Sequence, residues 1–513
     1  MKTLDLFSRE NMEAYQLKPR GSMPPHIYSI GTDAMNALHG NNKPQCIIVT
    51  GESGAGKTVI THHLTQFICN SNPNREYIMK RAATSAKLLA IFGNAETPEN
   101  SNSSRFIKFL QIKYNSKNEV SSIYTSYQLL EISRLCGLTT FGSNFHVFYL
   151  LTVNAPISLK DSLGLIDQNF RVLAPKNANH LSPYNFDDLN HSLDEMDLSK
   201  AAKEMIYGIL AAILHLCNLE FSDDSYEHAE ILNVASLNFA ARLLKLDSDE
   251  LSEALTKQKL KTVAETSCIT MPLNSCNAMR TRDSMVKSIY KSLFQFLIGK
   301  MNRTNSESVS SKYIAILDIA GFECQTMGQN CFEQICINYI NETVQQFCIR
   351  KQIIEELEWY ADDGIHIPDV NYLDNREILD LFEDKTNGIW SLLEDESKKR
   401  KPSNETFFQN LITKCSKNPA FTLPKISKET NKASFVIKHF SKNVCYSAEN
   451  FVQKNTQFVS TTILDIISKS LKHFKDTDLL NHPNDSKSIT LCLKNDLGKL
   501  MSQLDGNVIF CLE

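Results

Sequence analysis

The eight residues Gly51-Glu-Ser-Gly-Ala-Gly-Lys57-Thr58 restrict the fold more than any other part of the chain. They fit G-x-x-x-x-G-K-[ST], and their flanks suit that pattern. Gln45 to Thr50 (QCIIVT) is apolar and β-branched, as a buried strand should be. Val59 to Cys69 has helical character. A strand, a glycine-rich loop and a helix together make a phosphate cradle. The glycines allow a tight turn that points successive N–H groups at phosphate oxygens. Lys57 supplies positive charge near the β- and γ-phosphates, the Thr58 hydroxyl is placed to ligate Mg²⁺, and the helix N-terminus adds a favourable dipole. The bland alternative, a glycine-rich turn with an exposed lysine, does not account for the flanking strand and helix. Gly51, Glu52, Ser53, Gly54, Ala55, Gly56, Lys57 and Thr58 are therefore expected to bind a nucleoside triphosphate.

A second buried-strand run, Tyr313 to Leu317, ends at Asp318, with Gly321 three residues on. An Asp in that place holds Mg²⁺ or its water. A glycine N–H after it can report whether a γ-phosphate is present. Strand-like and helix-like runs alternate along the chain. The expected class is α/β: a P-loop NTPase core with a central, mainly parallel twisted sheet surrounded by many helices. Helices are expected over Lys200 to Asn218 and Asp283 to Met301. Cys331 to Asp363 has no Gly or Pro, and its apolar residues recur at three- and four-residue steps, which predicts one long helix. Asn70 to Glu76, Asn305 to Lys312, Asp395 to Glu405 and Asp476 to Ser488 read as surface loops.

Composition narrows the function classes. Of 513 residues, 42% are hydrophobic and 22% charged, enough apolar material for a large core without disulfide or metal staples. The net charge of −4 argues against a global polyanion binder, so no nucleic-acid partner is expected. Met205 to Leu214 is too short an apolar run to span a bilayer. The N-terminal MKTLDLFSRENMEAY lacks a signal-peptide core. The 14 cysteines form no zinc-like pair of knuckles and read as reduced thiols of a cytoplasmic protein.

The motifs resemble one family, the myosin motor domain, over essentially the whole chain. GESGAGKT has the family's P-loop form. Phe92-Gly-Asn-Ala95 with Asn100-Ser-Asn-Ser-Ser-Arg-Phe106 resembles its switch I, and Asp318-Ile-Ala-Gly-Phe-Glu323 its switch II. Leu129-Leu-Glu131, Asn144 to Tyr149, Phe332-Glu-Gln334, Asn338-Tyr339, Asn341-Glu342 and Lys454-Asn455 follow in family order. The DIAG form of switch II, with Gly388 to Glu396, leans toward class VI. The resemblance implies an actin-based motor ATPase using ATP and Mg²⁺ at the actin cytoskeleton. Lys57, Asn100, Ser103, Arg105, Gly321 and Glu323 would be catalytic, with Arg105 and Glu323 closing the site as a salt bridge. Thr58, Ser104 and Asp318 would serve the metal. The long helix would be the relay helix. Filamentous actin would be the partner, contacted through Lys257 to Thr281, where phosphorylation of Ser267 would add negative charge. The run Lys398 to Lys401 reads mainly as a solvated face.

Departures qualify the resemblance. Ile107 stands where the family has glycine, which would restrict switch I if a glycine-like angle were needed. Ile132 replaces a lysine, Cys217 a glycine, and Ser441-Lys442 a small residue and glycine. Asp476 to Ser488 is net acidic where many relatives are basic, which weakens electrostatic capture of actin. Residues 1–513 are expected to be a partial motor core. The N-terminal barrel, full adenine loop, converter, lever arm and tail are expected to be absent, with light chains or calmodulin tied to the lever arm. The competing expectation is a nucleotide- and actin-binding fragment without productive motility.

Overall fold

The structure is a computed structural model that describes residues 5–18, 21–70, 75–137, 143–173, 182–261, 268–302, 312–325, 330–399, 401–424, 433–456, 460–472 and 488–512. Seven strands matter for the site: β1 (Gln45–Val49), β2 (Ile107–Tyr114), β3 (Val120–Gln128), β4 (Tyr313–Asp318), β5 (Ser434–Lys438), β6 (Asn443–Ser447) and β7 (Val508–Leu512). Five of them form the central sheet in the order β7-β1-β4-β2-β3.

The sheet is mixed, not mainly parallel. β1 runs parallel to β4 and β7, but β2 is antiparallel to both β4 and β3. The cause is local. Asn115 to Glu119 form a tight turn in which Asn115 Oδ1 accepts the N–H groups of Lys117 and Glu119, and Asn118 takes φ 59°. Such a turn makes β2 and β3 a hairpin that docks as a unit. The connections between β1, β4 and β7 are long enough for their parallel pairing.

All five residues of β1 are buried, and they alternate between two cores. Ile47 and Val49 pack with Tyr28, Leu64, Phe67, Ile314 and Ile316 on one face. Cys46 and Ile48 pack with Ala315, Leu317, Phe332 and Trp390 on the other. A third core lies around Leu210, Leu214, Tyr290 and Phe294. Parallel pairing sets Val49 beside Asp318, so the chain leaves β1 and β4 at the same end of the sheet. That is where ligands sit in sheets of this kind.

The helices that frame this end are α1 (Lys57–Ile68), α2 (Arg75–Gly93), α3 (Lys200–Cys217), α4 (Ser275–Asn302), α5 (Phe332–Ile349) and α6 (Ile489–Asp505). The 28-residue α4 begins about two turns before the expected Asp283. The expected long helix is continuous but not uniform. α5 passes through a π turn, Arg350–Ile354, into a helix over Glu355–Asp362. Its buried face ends at Ile349, and Trp359 beyond it is 66% exposed. Asp395 to Glu405 is not all loop, because helices cover Ile389–Ser397 and Asn404–Cys415. Arg75 and Glu76 likewise belong to α2.

The described part of Lys257 to Thr281 is a hairpin, Lys257–Lys261 with Cys268–Pro272, leading into α4. Ser267 and most of the Asp476 to Ser488 tract lie outside the described residues, as does nearly all of Asn305 to Lys312. Lys398 and Lys399 pair with Glu394 and Glu396 of their own helix, as a solvated face would. The cysteines whose side chains are described, Cys268 not among them, are free thiols. Among the described residues, no helix is long and apolar enough to cross a membrane.

One ion pair fixes the start of α5. Glu333 is 3% exposed, and it accepts bonds from Lys454 Nζ (2.6 Å) and Ser133 Oγ (2.9 Å). Burial alone would raise the Glu333 pKa, but Lys454 and the hydrogen bonds take it from 4.5 to about 2. A lowered carboxylate pKa stabilises the fold above the unfolded value, and that stabilisation is lost as pH falls toward the folded one. Glu333→Gln should therefore be less stable than the parent by about 3 kcal/mol near pH 6. In urea unfolding the gap should shrink between pH 4.5 and pH 2, the range of that shift. A gap that does not change with pH would contradict this account.

Candidate active site

Three P-loop glycines adopt conformations closed to other residues: Gly51 (φ 129°), Gly54 (φ 82°) and Gly56 (φ 98°). Gly56 ends the loop and α1 begins at Lys57. The Lys57 side chain folds back over the loop, and its Nζ donates to the carbonyls of Gly51 (3.1 Å) and Glu52 (2.6 Å). Lys57 is 8% exposed. Burial lowers its pKa, against the opposing charges of Asp318, Glu323 and Glu52.

Thr58 Oγ1 donates to Asp318 Oδ2 at 3.2 Å, across 260 residues of sequence. Burial raises the Asp318 pKa, partly offset by Lys108, Thr58 and Lys57. A hydroxyl and a carboxylate side by side form a hard oxygen donor set, which suits Mg²⁺. Among the described residues, no group of three or more His, Cys, Asp or Glu forms a metal cage. Mg²⁺ does not require one, because it keeps waters and takes phosphate oxygens.

The Asp318 to Glu323 segment lies directly on the P-loop. Glu52 and Phe322 form a parallel bridge, and Ser53 N–H donates to the Phe322 carbonyl at 3.3 Å. At Gly321 a Cβ would collide with Lys57 Nζ and would come within 2.6 Å of the Glu52 carbonyl carbon and the Ser53 nitrogen. The glycine is therefore required by close backbone approach, its φ being ordinary.

From the other side, Asn94–Ala95 and Ser103–Ser104 form a two-stranded ribbon. The Glu99 carbonyl lies 3.9 Å from where a Cβ on Gly54 would be, so this segment covers the loop. Asn100 Oδ1 accepts the Asn102 N–H at 2.9 Å. Ser103 is buried, and its hydroxyl accepts from Arg105 Nη1 at 3.0 Å. Ser104 pairs with Asn94 in the ribbon. Ile107 opens β2 opposite Gln128 and is absent from the positive-φ residues, so no glycine-like angle is needed there. Cys217 is buried at the end of α3, where its thiol donates to the Leu135 carbonyl at 3.4 Å.

The two segments meet at Arg105 and Glu323. Arg105 Nη1 lies 2.5 Å from Glu323 Oε1, with side-chain exposures of 0% and 2%. Burial alone would lower the Arg105 pKa, but Glu131 and Glu323 raise it. Burial alone would raise that of Glu323, but Arg105 lowers it. Both groups are therefore charged at neutral pH.

Four supporting residues received no role from the sequence, although each stands in or beside a motif quoted above. Glu131 accepts from Arg105 Nε at 2.6 Å. Gln334 Nε2 donates to Glu323 Oε2 at 3.0 Å. Asn338 accepts the Glu323 N–H at 2.9 Å and donates to the Glu323 carbonyl at 2.8 Å. Asn341 donates to the Ala320 carbonyl at 3.0 Å. Behind Arg105 lies a cavity of about 380 Å³ lined by Leu129, Ile132, Phe332, Cys336 and Leu493. No P-loop residue lines it, although Arg105 and Ala320 do.

Comparison with known proteins agrees with this arrangement. Residues 1–500 match the family model described as myosin head (motor domain). Myosin heavy chain 95F of Drosophila melanogaster is 32% identical over 98% of this chain and 44% of its own length. Human unconventional myosin-VI is 32% identical over 98% of this chain and 42% of its own. Myosin-1 of Coccidioides immitis is 31% identical over 94% of this chain and 39% of its own. The chain thus spans less than half the length of these relatives, and identity does not single out one class. With a family model covering nearly every residue, this chain belongs to the myosin motor-domain family.

Proposed function

We propose that the chain is the core of an actin-activated, Mg²⁺-dependent ATPase motor, built on a P-loop NTPase core. The observation that carries this reading is the buried Arg105–Glu323 pair. It joins the segments before β2 and after β4 directly over the P-loop. Phosphoryl transfer to water needs charge stabilisation and an in-line nucleophile. The P-loop N–H groups and Lys57 would hold the β- and γ-phosphates. Lys57 is here satisfied by two carbonyls, which phosphate oxygens would replace as partners. Thr58 and Ser104 would hold Mg²⁺, with Asp318 beside them, and the ion would add positive charge to the phosphates. Asn100 would contact phosphate oxygens. Ser103 and the Gly321 N–H would border the γ-phosphate and the attacking water. Arg105 and Glu323 would exclude bulk water by closing the two segments together.

The same contacts give a route from the phosphate to α5. Gln334, Asn338 and Asn341 all bond to the Ala320–Glu323 backbone or side chain, so any shift of that segment pulls on the helix. In this reading α5 and its continuation are the relay helix. Filamentous actin is the partner, approached in part through the Lys257 to Thr281 hairpin. The cytoplasmic actin cytoskeleton is the place of action, and light chains or calmodulin require segments outside residues 1–513.

Steady-state ATP hydrolysis with and without filamentous actin tests the proposal. Hydrolysis that actin accelerates supports it, and nucleotide binding without turnover under either condition would overturn the enzymatic reading. Lys57→Ala should abolish measurable binding of a fluorescent ATP analogue. Arg105→Ala should behave differently. It leaves Glu323 a buried carboxylate without its arginine partner, a change that costs about 3–5 kcal/mol in similar sites. Turnover should fall at least about 100-fold, as when a preorganised transition-state group is lost. Nucleotide affinity should change far less, because Arg105 bonds to none of the P-loop residues. Equal losses of affinity and turnover would show that the pair serves binding instead.

A further inference from the structure

The turn between β5 and β6 departs from the family pattern at Ser441-Lys442, and the structure places that departure at the mouth of the phosphate site. Lys442 Nζ lies 2.9 Å from Glu52 Oε1 of the P-loop. This contact is long-range in sequence and joins the hairpin to the loop that wraps the phosphates. The turn is held from beneath. His439 N–H donates to the Lys442 carbonyl at 3.2 Å. The His439 ring is buried, with Nδ1 2.8 Å from Glu342 Oε1 and Nε2 2.8 Å from the Tyr446 hydroxyl. Lys442 is thus presented from a fixed root, while its side chain stays 42% exposed.

The surroundings of Lys442 are acidic. Glu52 is 61% exposed at the loop surface. Glu99 stands on the covering segment, where its carbonyl approaches Gly54. Asp318 and Glu323 lie deeper, facing Lys57 and Arg105. The hydrogen bond and charge of Glu52 raise the Lys442 pKa, with smaller contributions from Cys324 and Glu99. Lys442 therefore stands among all three loops of the site and is cationic at neutral pH. An incoming nucleoside triphosphate is a polyanion and would meet Glu52 and Glu99 first.

We propose that Lys442 is a nucleotide-capture residue: a rim cation that offsets Glu52 and Glu99 and speeds association of the triphosphate. It acts on the approach of the ligand and not on the chemical step. The inference rests on the nucleotide-binding reading above. Rim charges act mainly on association rate and its salt dependence. An exposed ion pair adds little to stability, so substitutions here should leave the fold intact.

The test is stopped-flow binding of a fluorescent methylanthraniloyl-ATP with Mg²⁺ to the 513-residue chain and its variants. At about 20 mM salt, Lys442→Gly should slow association about threefold and Lys442→Glu about tenfold. Lys442→Arg should keep the parent rate, because the charge is retained. At about 0.5 M salt the differences should nearly vanish, since the Debye length is then only a few ångströms. Dissociation rates should be unchanged throughout. An unchanged association rate in Lys442→Glu would overturn the proposal. So would a loss confined to dissociation, or one insensitive to salt. Failure of the unaltered chain to bind nucleotide would overturn both this inference and the reading it rests on.

Discussion

The Arg105 side chain has no solvent-exposed surface and Glu323 has 2%, so both charges are withdrawn from bulk water. Removing two ions from water costs several kcal/mol each, which mutual attraction offsets only when every remaining donor and acceptor is satisfied. The neighbouring residues meet most of that demand, with Glu131 Oε1 and Arg134 Nε left without a hydrogen bond. Arg105 donates to Glu131, Ser103 and Glu323. Glu131 is itself balanced by Arg134 at 2.7 Å, so two arginines face two glutamates and the cluster is neutral. Glu323 is held by Gln334 and, through its backbone, by Asn338. Separating the two segments would break the Arg105–Glu323 contacts and leave each charge with only the partners on its own side.

The cluster also determines which face of α5 does what. Gln334, Asn338 and Asn341 follow at four- and three-residue steps, so they form one polar stripe. That stripe faces Ala320 to Glu323, while Ile335, Tyr339, Ile340 and Val344 pack into the core. A helix buried on an apolar face and bonded on a polar one cannot slide without losing either packing or hydrogen bonds. After Ile349 the burial stops and the π turn begins. An extra residue in a turn is a point of weaker backbone hydrogen bonding. The rod is therefore anchored at the end nearer the P-loop and free of core packing at the other.

Local patterns in the chain recorded the strands and helices around the P-loop well. QCIIVT and YIAIL are short buried runs whose type is set by their own side chains, and β1 and β4 end within one residue of the expected positions. The β2–β3 hairpin escaped notice because its turn, Asn115 to Glu119, lacks the glycine that usually marks a hairpin. The polar stripe of α5 was hidden for another reason. Periodicity counts apolar positions, whereas Asn338 is fully buried by hydrogen bonding and not by hydrophobicity. Within the site, the P-loop was legible from spacing alone. Arg105 and Glu323 are 218 residues apart, and only the family resemblance joined them. The Lys442–Glu52 pair had no such guide, because that turn follows no family pattern.

Gly321 sets the direction in which this site can move. A single Cβ there would strike Lys57 and the backbone of Glu52 and Ser53, so the segment after β4 already touches the P-loop. Closer approach of the two backbones is opposed by van der Waals repulsion, so a large change in this contact parts them. Separation must break the Glu52–Phe322 bridge and the Ser53 to Phe322 hydrogen bond. Parting from the Arg105 segment as well would pull Glu323 from Arg105 and admit water to both. A γ-phosphate bonded to the Gly321 N–H would add to the closed state, and its loss would leave only the protein's own contacts to hold it. The buried pair thus makes closure strong, and the phosphate would decide whether closure persists. That is the requirement for a segment that converts the presence of one phosphate into the position of a helix.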